Sequence, residues 1–281
     1  LEKAVTANQK AMNVDAKYRG SHTPAPVYRI YMAHNNHMLA FAAMMLGRSE
    51  VATKAVDELV AAIPEEFQMA APGFVDGYFA MPMEVRVRFG KWDEVLQMPL
   101  PHERFPLARA MAFASRAVAY AAKGQPRLAR AEQASFYRQR LLVPETLTFG
   151  QNRASSVLIV ATHLMNGEIL VAEGDFDRAV STLREGIRSE DKLAFSEPPD
   201  WIQPVRHTLG ALLQKLGRHK EAESVYRDDL VKLPRNGWAL YGLAASLKTQ
   251  GQAVAAQKYQ SEFERVWANA DIEISSSCLC I

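Results

Sequence analysis

The feature that most constrains this chain is a pattern of small residues recurring every 34 positions. Gly210, Gly217 and Ala222 are followed at that offset by Ala244, Gly251 and Ala256, and Pro234 closes the first of the two segments. A period of this size marks a stacked array and decides the fold before any other signal is weighed. Residues 203–236 read as helix, turn at Gly217, helix, and stop at Pro234; residues 237–270 repeat the plan. Small side chains at the eighth and twentieth positions of the unit let two antiparallel helices approach closely. Glycine at the fifteenth permits the tight turn between them.

The same frame runs upstream. Gly167, Gly174 and Ala179 fit a unit from Val160, and Ala117, Tyr120, Gly124 and Ala129 fit one from Ala110. Gly90 with Trp92 marks a shortened unit near 76–100, and Ala40, Gly47, Ala52 and Pro64 fit a unit from Ala33. Six helical hairpins are therefore expected. A single amphipathic helix over 2–18 precedes them, with Ala4, Ala7, Ala11 and Val14 at helical spacing. No segment shows the alternation of a strand.

This spacing resembles the tetratricopeptide repeat. The resemblance implies one all-α, right-handed solenoid over residues 1–281, with 271–281 as a tail, in which each hairpin buries its apolar face on its neighbours. It also implies that positions 2, 5, 9, 12 and 13 of each unit line a concave side. HNNHMLAFAAMMLGRS, VRFGKWDEVL, SEPPDWIQPVRHTLGALL and VYRDDLVKLPRNGWALYGLA look like a family of bacterial tetratricopeptide proteins. Its members are longer than this chain, carry more histidine-containing helices upstream, and in many cases start with an export signal. That likeness implies architecture far more than activity. With an uncapped helix starting at Leu1, it points to the C-terminal part of a longer protein. Exported and cytoplasmic locations both stay open.

Applied to the sequence, the frame places His34, His37, Phe41, Glu84, Arg88, Glu168, His207, Trp238 and Tyr241 on the concave side, among small apolar residues. A uniform row of basic residues for clamping a peptide carboxylate is absent. Small side chains leave room and scattered ionisable groups offer chemistry, a mixture that suits a ligand pocket. The sharpest local motif is HNNH, His34 to His37. Residues three apart share a helix face, so two imidazoles there can share a divalent metal. His207 is the third candidate ligand, and Glu84 or Glu168 is a further ligand or general base. The other reading of the pair is a groove wall of hydrogen-bonded histidines.

A second motif is an insertion at 191–207. Gly167 and Gly210 stand 43 residues apart, nine more than the period. Pro198 and Pro199 hold the segment extended, and Asp200, Trp201 and Arg206 make it a candidate site wall. The plainer alternative is a connector in which Asp200 caps a helix from 201. The tail ends in Cys278 and Cys280, a pair able to take a soft metal or to oxidise; the simpler expectation is an exposed, unstructured end.

Composition removes other classes. Lys and Arg total 33 against 31 Asp and Glu, a net charge of +2. That is too balanced for a dedicated nucleic-acid binder, and the arginines of 127–140 read as a convex helix face. No apolar run is expected to reach the roughly 20 residues of a membrane span. Nucleotide-binding, nucleophile-elbow and zinc-protease motifs are missing, and no cofactor is indicated beyond a divalent metal. The expectation is a scaffold that binds a protein, peptide or small molecule in its groove without catalysis of its own. Trp238 and Tyr241 are expected as contacts whose loss spares the helices. The rival is a metal-binding protein or metal-dependent enzyme, and a third reading is self-association through uncapped terminal repeats.

Overall fold

The computed structural model describes residues 1–281, apart from the side chains of Pro26, Val27 and Ile30. A leading helix α1 (Glu2–Ser21) packs on α2 (Pro26–Met45), which pairs with α3 (Ser49–Ala61). Two short helices, α4 (Glu65–Ala70) and α5 (Pro72–Val75), and a 3-10 turn at Asp76–Phe79 lead into the shortened pair α6 (Met81–Arg88) and α7 (Trp92–Gln97). The remaining helices pair in sequence order: α8 (Pro106–Ala122) with α9 (Pro126–Arg140), α10 (Ala154–Ala172) with α11 (Phe176–Glu190), α12 (Val205–Lys215) with α13 (His219–Lys232), and α14 (Gly237–Thr249) with α15 (Ala253–Trp267). The result is an all-α helical-repeat solenoid. Its only sheet among the described residues is a hairpin of β1 (Thr148–Phe149) and β2 (Asn152–Arg153).

One local device makes all six pairs. Gly47, Gly90, Gly124, Gly174, Gly217 and Gly251 stand between the paired helices with φ between 65° and 80°. After each, the next N–H reaches back five residues: Arg48 to Ala43, Lys91 to Arg86, Gln125 to Tyr120, Asp175 to Leu170, Arg218 to Leu213 and Gln252 to Leu247. This is the Schellman closure. It satisfies the last carbonyls of the first helix and needs a left-handed residue that glycine supplies without strain. Close approach is met separately. A Cβ on Gly210 or Gly242 would stand 2.4 or 2.2 Å from the Tyr226 ring, which is sandwiched between these two glycines and fully buried.

Helix starts depend on distant carboxylates. The residues preceding α3, α8 and α12 are Arg48, Phe105 and Pro204, and none caps with its side chain. Asp271 accepts from Ser49 N at 2.6 Å and Glu50 N at 2.8 Å, Asp76 from Leu107 N and Ala108 N, and Glu190 from Val205 N. Each satisfies N–H groups that the helix itself leaves free.

The array does not stay open. Trp238 of the last hairpin is completely buried, and its indole N–H donates to Met44 O of the first at 2.8 Å. The Arg88 guanidinium stacks on it at 3.6 Å, and Trp267 meets it edge-on. A second core forms here from Leu39, Phe41, Met44, Val85, Phe89 and Trp238, joined by Ile272, Ile274 and Leu279 of the tail. Asn269 and Arg48 both bond Glu2, tying α1 to the same junction.

Three expectations change. Trp238 and Phe41 are core residues that join hairpins, so their loss would not spare the fold. The tail is not an exposed end, because Ser277 and Cys278 are 0% and 3% exposed. And α10, 19 residues with mean hydropathy 1.4, is long and apolar enough to cross a bilayer by length and composition. Its window is 61% buried against neighbouring helices, as in a core helix. Replacing Trp238 with alanine should lower unfolding free energy by about 3–5 kcal/mol, as for large buried aromatics. Urea denaturation followed by circular dichroism checks this, and a change below about 1 kcal/mol would contradict the junction described here.

Candidate functional site

Residues of three successive pairs meet at one small cavity. Glu84 and Val87 of α6, Met111, Ala114 and Val118 of α8, and Ala161 and Leu164 of α10 surround one cavity, which Trp201 and Gln203 close. Its volume is about 20 Å³, space for about one water. Ligand pockets measure roughly 300–1,000 Å³, so this cavity does not hold a small molecule of ordinary size. A larger depression of about 320 Å³ lies between α9, α10 and α11, walled by Arg130, Gln133, Tyr137, Asn166 and Arg178. Its polar groups are largely engaged with one another, as in Gln133 with Asn166 at 2.6 Å.

Closure of the array buries the ionisable residues of this face. Glu84 has no charged partner, and burial pushes its carboxyl up to about 8. Glu168 is 2% exposed and is likewise raised to about 8 by burial, against the opposing pull of the Thr208 hydroxyl and Arg88. Burial lowers Arg88 to about 9 while Asp229 and Glu168 hold its charge. It therefore remains a guanidinium at neutral pH, stacked on Trp238. His207 is fully buried, and burial lowers its pKa despite Asp229. Its Nε2 lies 2.9 Å from Asp229 Oδ2, which also accepts from Asn236 Nδ2. A carboxylate accepts, so Nε2–H donates and Nδ1 is the bare nitrogen; it has no partner.

The other predicted residues are dispersed. His34 is exposed, whereas His37 sits among aromatics, edge-on to Tyr78 and stacked with Phe149. Burial and the neighbouring His34 lower it to about 3. Three residues of spacing put the pair on one helix but on opposite sides of the water boundary. His34, His37 and His207 do not converge. Among the described residues, the one group of three or more metal-type side chains with ligand atoms within 4.8 Å is Glu168, Cys278 and Cys280. Asp200 does not cap a helix, since α12 starts at Val205. It accepts instead from Gln151 N and Asn152 Nδ2, fixing the β-hairpin to the insertion. The Trp201 indole N–H donates to Gln203 O. Arg206 forms a two-pronged pair with Asp191 at 2.7 and 2.8 Å. Tyr241 is half-buried against Phe263.

Sequence reasoning missed the groups that hold the tail. The Ser277 hydroxyl donates to His207 O at 2.8 Å and lies 2.6 Å from the Tyr226 hydroxyl. The Thr208 hydroxyl lies 3.5 Å from Cys278 Sγ. Leu279 reaches the Gly90 turn, and Ile281 packs on the larger core. Gly210 was visible as a site of close approach, but the tyrosine behind it and the serine beyond were not.

The buried Glu84 carries a pH consequence. Its carboxyl titrates near 8 in the fold and near 4.5 when unfolded. Between those values the native state keeps a proton that the unfolded chain has lost, so stability falls as pH rises through this window. Glu84→Gln should melt close to the parent near pH 5 and a few degrees above it near pH 9. Differential scanning fluorimetry across pH measures this; a gain at the acidic end alone would refute the assignment.

The comparisons bear on the array itself. The family model for the tetratricopeptide repeat matches residues 160–185 and 203–228, which fall in the pairs α10–α11 and α12–α13. No curated protein matches the chain. Six hairpins share one helix–glycine–helix plan, and two of them, α10–α11 and α12–α13, are tetratricopeptide repeats by that match.

Proposed function

We propose that this protein is a scaffold that binds a short non-helical segment of a protein partner on the inner face of its repeats. Tetratricopeptide repeats support a scaffold for protein interactions in general. The finer reading rests on one observation: the face already holds a short non-helical segment, the chain's own residues 271–281, a run of bends and a turn. Asp271 caps α3, Ser277 bonds α12 and α13, and Leu279 and Ile281 pack on the two cores. Hydroxyls and the His207 carbonyl supply the polar grip, while the aliphatic side chains of Ile272, Ile274, Leu279 and Ile281 supply burial. A partner segment with small polar and aliphatic residues interleaved fits the same features. The small volume of the inner cavity weighs against a small-molecule ligand.

The tail is tethered, so it competes at an effective concentration of the order of mM. A partner must exceed that, or the tail must be loosened first. A labelled peptide of sequence 271–281 should bind the parent weakly and a full-length Asp271→Ala/Ser277→Ala variant at least about tenfold more tightly, because the variant's own tail competes less. Fluorescence anisotropy reads the difference. Equal binding to both proteins, or to neither, would remove the basis of this reading.

A further inference from the structure

The Glu168 carboxylate is almost wholly buried. Its Oε1 takes only the Thr208 hydroxyl at 3.3 Å, and its Oε2 has no hydrogen-bond partner. A buried oxygen left bare is costly, so such an atom asks for an explanation. The sulfurs of Cys278 and Cys280 stand beside it, with all three ligand atoms within 4.8 Å of one another. The sulfurs reach this place through contacts of their own. Ser277 is anchored to His207 O and Tyr226, and the Cys278 N–H donates to Ser276 Oγ at 3.3 Å.

We propose that, when the two cysteines are reduced, Glu168, Cys278 and Cys280 hold one thiophilic divalent cation of the zinc class. Two thiolates and a carboxylate suit such an ion, whereas calcium and magnesium take oxygen ligands throughout. At zinc distances of about 2.3 Å to sulfur and 2.0–2.2 Å to oxygen, three donors stand within about 4 Å of one another. From the observed positions the carboxylate–sulfur separation needs only a small contraction, whereas the two sulfurs must part from bonding distance, by on the order of 2 Å, once the bond between them is reduced. A divalent ion with two thiolates and one carboxylate carries a net charge of −1, and the Arg88 guanidinium that acts on Glu168 offsets it. A fourth position stays free, beside the Thr208 hydroxyl, which lies 3.5 and 3.9 Å from the two sulfurs. The ion would fasten the tail to α10. The site rests on where the tail lies, and its test reads metal alone, so its failure and a failure of partner binding are separate results.

In this structure the two sulfurs are joined as a disulfide. Ion and disulfide are alternatives, because both use the same sulfur electrons. A phosphine reductant with water converts one to the other: the S–S bond breaks, two thiols form, and the phosphine becomes its oxide. The ion then displaces the two thiol protons, and the proton that buried Glu168 holds at neutral pH, to solvent without changing its own oxidation state.

The test uses the full chain, reduced by a phosphine and titrated with Co²⁺ alone, then with Zn²⁺. The expected result is saturation at one Co²⁺ per chain with sulfur-to-cobalt charge-transfer absorption, displaced by an equivalent of Zn²⁺. The disulfide form should show none of it. Cys278→Ser and Cys280→Ser should each abolish the absorption, and Glu168→Gln should weaken binding by at least about tenfold, no less than the loss of a supporting residue would. Were the variants to lose helicity, the band of the parent protein would still decide, because a site of histidines or carboxylates has no such absorption. No saturable binding to the reduced parent, or binding without the band, overturns the proposal. Unchanged affinity and spectrum in Glu168→Gln overturns the three-ligand site.

Discussion

The contact on which the rest of the molecule depends is the seat of Trp238. One indole bonds Met44 of the first hairpin, carries Arg88 on its face and meets Trp267 on its edge. A repeat array without such a contact exposes its inner side to water. Here the last hairpin meets the first, and the inner side becomes interior. Glu84, Glu168 and His37 then lose hydration, which is why the two carboxyls rise and the imidazole falls. The perturbed carboxyls are consequences of closure first, and become candidates for chemistry only where a partner group stands beside them.

Closure also explains the tail. An enclosed inner side offers two apolar cores and a set of hydroxyls within reach of one short segment, and residues 271–281 take them up. Asp271 illustrates the mutual dependence. It supplies the cap that Arg48 cannot give α3, across 222 residues of sequence, and in return α3 holds the start of the tail. The tail is thus both a structural strap and a model of what the inner face can bind. It also brings two cysteines against Glu168, a juxtaposition that neither element has alone.

Much of the architecture was legible beforehand because its cause is local. A left-handed turn needs glycine, and the six turn glycines were readable without knowing what they pack against. Residues of α6, α8 and α10 that the resemblance put on one side, Glu84, Val87, Met111, Ala114, Val118, Ala161 and Leu164, line one common cavity. The functional residues were read less well. His34 and His37 looked equivalent by spacing, yet one is exposed and the other buried between Tyr78 and Phe149. Asp200 looked like a helix cap and is instead the tie between an insertion and a distant hairpin. In each case the deciding partner is far away in sequence.

The sequence by itself therefore determined the unit: helix length, turn chemistry, the small residues that permit close pairing, and the number of hairpins. Those follow from φ angles, side-chain volume and a period, all properties of neighbouring residues. Only the tertiary structure decided that the ends of the array meet, that the tail lies inside, and which ionisable groups are stripped of water. Curvature sums small rotations over six units, and burial depends on where that sum brings the last residue relative to the first.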